Sequence, residues 1–161
     1  MSLRLGDVSR RAADSLASQG LSMYPKPEIE IPILPPDITV LDDEDLMVLY
    51  SLLTAWADFI STQVSCAQID ERATEKKLSH AENLLMIASG DKGDRVTYAR
   101  AQVAADEYII SLKDEVEEAH AYRKLVESLA SNVERDAALV SRELTRRTSS
   151  RNRTSPSRWS A

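Results

Sequence analysis

Apolar residues recur every seven positions along the middle of the chain. Leu46, Leu53, Ile60, Ala67, Thr74, Ala81 and Ala88 form one series. Tyr50, Ala57, Val64, Glu71, Leu78 and Leu85 form a second, four positions on each time. This spacing puts both series on one face of a helix. The stripe is strong to Ala67, thins at Glu71 and Thr74, and recovers at Leu78. Asp42 is the expected N-cap, with Asp43, Glu44 and Asp45 in the first turn, where acids meet free N–H groups and the positive end of the helix dipole. Gly90 is the expected C-terminal cap, and Ser89–Asp94, with its two glycines, the reversing loop. The pattern therefore predicts a helix over about 43–89.

A second helix is predicted over about 95–147. Its seam is Ile109, Val116, Arg123, Ala130, Ala137 and Leu144, with Leu112, Ala119, Val126, Val133 and Val140 between. Neither Gly nor Pro interrupts it. At 1.5 Å per residue each helix spans about 70–80 Å. Such helices bury their stripes on each other, as an antiparallel hairpin, or on copies of themselves. Small seam residues allow close approach but bury little area per turn, so assembly is expected to supply the missing stability. Leu53, Trp56, Ile60, Val126 and Val133 are expected in helix contacts, partly between subunits. The fold class expected is all-α.

The flanks break this pattern. Residues 1–41 have weak helical character around Val8–Leu16 and then Pro25, Pro27, Pro32, Pro35 and Pro36. These prolines forbid a helix and favour extended chain. Ile29, Ile31, Ile33 and Leu34 lie between them, which points to an arm packed on a neighbour rather than a free spacer. Residues 148–161 are poor in apolar groups and read as a tail disordered until bound. The expected organisation is an N-terminal segment and arm (1–41), a helical hairpin (42–147) and a basic tail (148–161).

Composition agrees with helix. The chain has four Gly and one Phe, too few for a turn-rich α/β enzyme or an aromatic-rich sandwich. A single Cys excludes an internal disulfide and a Cys-based zinc site, and Cys66 reads as a buried thiol. No apolar run is long enough for a membrane span, and no secretory leader is evident. Phosphate-loop, dinucleotide and nucleophile-elbow motifs are absent. His80 and His120 lack ligand-spaced partners, and Asp114, Glu115, Glu117 and Glu118 read as a solvated face. The expectation is a protein without catalytic residues, metal or cofactor.

Charge changes the picture more. The net charge is −6, yet residues 142–161 hold six Arg and one acid. An acidic body with a basic end points to a polyanion partner. Arg142, Arg146, Arg147, Arg151, Arg153 and Arg158 have the forked donors that suit phosphate, and Trp159 can stack on a base. Lys76, Lys77, Lys92, Arg95 and Arg100 flank the expected loop and form a second candidate patch, diluted by Glu75, Glu82, Asp91 and Asp94.

The order of these features resembles the phage recombination-mediator family typified by UvsY. The resemblance rests on Tyr50-Ser51 followed by Trp56 at the start of a long helix, on the Ser89-Gly90 loop, and on Ala105-Asp106, Ile109-Ile110, Tyr122 and Leu125 in the final helix. It covers about Asp45–Arg147. It implies a ring-like homo-oligomer that binds single-stranded DNA and helps a RecA-like recombinase displace single-strand-binding protein, in the cytoplasm of an infected bacterial host. One departure matters. The Lys-x-Arg pair that the family carries before the Ser-Gly loop aligns with Glu82 and Leu84, so DNA binding falls to the cations named above. The alternative reading is a virion or scaffold component built from helical hairpins, whose arm clasps a neighbour. A coiled-coil adaptor or inhibitor of another protein comes third.

Overall fold

A computed structural model describes residues 6–90 and 96–154, with side chains over 6–88 and 97–151. Its helices are α1 (Asp7–Ser18), α2 (Asp43–Gly90), α3 (Val96–Ala105) and α4 (Glu107–Thr154), with one 3-10 turn at Ile38–Val40. No strand occurs among the described residues, and the fold is all-α. Most of the loop expected at Ser89–Asp94 lies outside the described residues.

α2 begins where its acids predict. The Asp42 carboxylate accepts from the Asp45 amide at 2.8 Å, and the Asp42 carbonyl accepts from the Leu46 amide at 3.1 Å. The second long helix is corrected at both ends. It is interrupted at Asp106, whose carboxylate accepts from the amides of Tyr108 (2.9 Å) and Ile109 (3.1 Å). Asp106 thus caps α4 and separates it from α3: a short acidic side chain bonds the next amides and replaces the i−4 carbonyls. At its other end α4 runs through Thr154 rather than stopping near Arg147. Residues 148–154, expected as disordered tail, are helical.

The chain divides into two compact units. One comprises Met1–Met23 and Thr62–Glu127. Its core holds Cys66, Ala67, Ala99, Val103, Ile109 and Leu112. Here α2 and α4 run antiparallel: Gln68, Glu71, Lys77 and Glu82 of α2 meet Glu127, Arg123, Glu115 and Lys113 of α4 in descending order. α1 is anchored by Asp70, whose carboxylate accepts from the Gly6 amide (2.7 Å), the Ser9 amide (3.3 Å) and the Ser9 hydroxyl (2.8 Å). A side chain on α2 therefore caps α1. Gly6 is required by this approach, because a Cβ there would lie 2.5 Å from the Asp70 Cγ.

The other unit comprises Tyr24–Ser61 and Ser128–Ala161. Leu46, Leu53, Trp56, Phe59, Ile60, Val133 and Val140 form its core. Of the expected packing residues, Leu53, Trp56, Ile60 and Val133 are buried, and Val126, in the first unit, is half-buried. The proline-rich arm packs on its own chain. The Trp56 indole N–H donates to the Ile29 carbonyl at 3.0 Å, and the Lys26 ammonium sits 5.8 Å from the Trp56 ring centroid. Trp56 also meets Phe59 edge-on.

Candidate nucleic-acid interface

The arginines of α4 are the residues to locate first. Arg142 is exposed, and no ion pair to it occurs among the described residues. Arg146 is exposed but paired: its Nε donates to Glu143 Oε2 at 2.7 Å and its Nη2 to Glu143 Oε1 at 2.6 Å. Arg147, one residue on, reaches from Glu143 to the segment before α2. Its Nε donates to Glu143 Oε1 (2.8 Å), its Nη1 to the Leu41 carbonyl (2.8 Å) and Asp43 Oδ1 (2.9 Å), and its Nη2 to the Thr39 carbonyl (2.9 Å). Arg151, a turn later, donates to Asp43 Oδ2. The side chain of Arg147 is 17% exposed and that of Arg151 is 72% exposed. The first is structural in its surroundings; the second stands in solvent. Arg153, Arg158 and Trp159 lie outside the described side chains.

The acids respond to this company. Hydrogen bonds from Arg146 and then Arg147 pull the Glu143 carboxyl down to about 2, although the side chain is buried. The Arg147 hydrogen bond lowers the Asp43 carboxyl, against the opposing effect of burial, and Arg151 adds to the lowering. The Arg147 guanidinium is correspondingly held above its ordinary value, by Asp43 first and Glu143 second. Thus Arg146, Arg147 and Arg151 do not belong to a free tail. Arg147 and Arg151 anchor the end of α4 to the segment that leads into α2, whereas Arg146 bonds Glu143 of α4 itself.

The second candidate set is described only at Lys76, Lys77 and Arg100. Lys76 is exposed. Lys77 donates to Glu115 at 2.9 Å, and that bond raises its pKa. Lys77 lines a shallow depression with His80, Leu84 and Tyr108, whereas Arg100 lines a different one with Glu82, Val103 and Lys113. Lys92 and Arg95 lie outside the described residues. Among the described residues no group of three His, Cys, Asp or Glu is placed to hold a metal, and no helix is long and apolar enough to cross a membrane.

Sequence reasoning missed the polar cluster in the middle of the seam. Glu71 is buried; it accepts from Arg123 Nε and lies 2.7 Å from His120 Nδ1. Arg123 also donates to Glu127 at 2.5 Å. Burial alone would raise the Glu71 carboxyl, but the bonds from Arg123 and His120 outweigh it and the net shift is downward. The signal was present: Glu71 and Arg123 are the charged residues in the two heptad stripes, and they are each other's partners.

No family model matches the chain, and neither a curated protein nor a solved structure does.

Proposed function

We propose that the protein is a non-enzymatic recombination mediator that binds single-stranded DNA, self-associates, and helps a RecA-like recombinase replace single-strand-binding protein. The observation that carries this reading is the run of guanidinium groups at the end of α4. Arg142 and Arg146 stand one turn apart on an exposed face, Arg151 reaches solvent further along the helix on another side, and the chain leads on to Arg153, Arg158 and Trp159. Elsewhere the chain is acidic and repels phosphate, so affinity must concentrate where arginines accumulate. The family resemblance over Asp45–Arg147 supplies the recombinase and single-strand-binding partners.

The test is an anisotropy titration with single- and double-stranded oligonucleotides across a salt series. Binding of single strands without sequence preference is expected, with a log–log salt slope of about 0.7 per phosphate neutralised. Failure to bind at low salt overturns the reading.

A second reading has its own observation. Ile33, Val40, Ile87 and Leu125 are each more than 70% exposed, which favours a helical assembly or scaffold protein whose apolar positions are covered by copies of itself. DNA binding separates the two readings, because both require self-association.

A further inference from the structure

Asp43 sits between two guanidinium groups. Arg147 donates to one of its oxygens at 2.9 Å and Arg151 to the other. Forked donors hold a carboxylate and a phosphodiester in the same way, through two oxygens of one anion. Arg147 is held independently of Asp43, by Glu143 and by the carbonyls of Thr39 and Leu41. It therefore keeps its position if Asp43 leaves. Arg151 is mostly exposed, and the Asp43 side chain is 36% exposed, so an outside anion can reach both.

We infer that Arg147 and Arg151 form a phosphate seat that Asp43 occupies in the free protein, so that the acidic start of α2 competes with a nucleic-acid backbone for these two arginines. The seat is self-inhibited: a strand gains the Arg147–Arg151 pair by displacing the Asp43 carboxylate. Asp42, Glu44 and Asp45 add repulsion around it, and Arg146, held by Glu143, offers the next contact along the helix. This inference rests on the single-strand-binding reading.

The experiment is a titration of fluorescein-labelled oligo-dT with the full chain at low salt. Four proteins are compared: wild type, Asp43→Asn, Glu44→Gln and Asp43→Asn/Arg151→Ala. Asp43→Asn removes the competing charge and keeps the shape. It should tighten binding about three- to fivefold, the scale that an exposed ion pair can withhold. Glu44→Gln makes the same change in net charge one residue away, without contact to either arginine, and should have much less effect. The gain should disappear when Arg151 is also removed, because the two changes then act on one interaction. Thermal unfolding of each variant shows that it is folded. Equal gains from Asp43→Asn and Glu44→Gln, or a gain that survives loss of Arg151, overturn the seat and leave the mediator reading standing. No binding by any of the four proteins overturns both.

Discussion

Glu71 and Arg123 show what a charged pair does in an otherwise apolar seam. Each occupies a heptad position where a Leu would pack, and each compensates the other. Removing one partner leaves the other under-compensated, with His120 still beside Glu71 or Glu127 still beside Arg123, whereas removing both restores an apolar contact. Arg123→Ala should lower unfolding stability, by less than breaking a fully buried pair would, because Glu71 keeps its contact with His120. Glu71→Leu/Arg123→Leu should be neutral or stabilising. Urea unfolding of the two variants measures both. Glu143 adds a dependence on pH. Its carboxyl is depressed in the folded chain to about 2 from an ordinary value of 4.5. The stability it contributes is complete above about pH 4.5 and is lost as pH falls through that interval toward 2. Melting temperature should fall across this window in the wild type and fall less steeply in Glu143→Gln. A parallel descent in the two proteins would remove Glu143 from the account.

At the scale of elements, three side chains decide where helices start and what they hold. Asp106 caps α4, Asp70 caps α1 from a neighbouring helix, and Trp56 holds the proline-rich arm through one hydrogen bond. Asp106→Ala should cost about 1 kcal/mol and speed hydrogen exchange at the amides of Tyr108 and Ile109. Gly6→Ala places a methyl group against the Asp70 carboxylate, so it should release α1 as fully as Asp70→Ala does. Limited proteolysis within residues 7–18 reads that release, and resistance equal to wild type would contradict the capping role. What the sequence made legible follows from the same contrast. The stripes from Leu46 to Ile60 and from Ile109 to Val140 could be read because burial repeats with the helical turn. Asp42 could be read because an N-cap acts within four residues. The break at Asp106 was hidden because Asp inside an amphipathic run differs from a solvated acid only by a local bond. The helix beyond Arg147 was hidden for another reason. Polar composition speaks for disorder, but Arg147 and Arg151 are anchored to residues 39–43, more than a hundred positions earlier. The Asp70–Gly6 contact also joins residues far apart in sequence, 64 positions. Such pairings are made by the fold and leave no local pattern.

For the whole molecule the decisive question is whether assembly and stability separate. The cores described above bury Leu46, Leu53, Ile60, Ile109, Leu112 and Val140 almost fully, while Ile33, Leu84 and Tyr108 remain in solvent. Buried and exposed apolar residues make different predictions under both functional readings. Leu53→Asp puts an unpaired charge in a core and should lower melting temperature and oligomer mass together. Ile33→Ser and Leu125→Ser remove mainly exposed apolar surface. Each should leave the stability of a dilute, dissociated sample within about 0.5 kcal/mol of wild type while reducing mass at micromolar concentration. Sedimentation velocity across a concentration series measures the mass, and calorimetry the stability. If the wild type sediments at 17.9 kDa throughout, the exposed apolar positions do not serve self-association. The arginines of one chain would then act alone on DNA, and the affinity gained by linking several such sites would be lost to the mediator reading. If mass falls in the two serine variants and single-strand affinity falls with it, assembly is what makes a weak, partly self-occupied cluster of arginines into a binding surface.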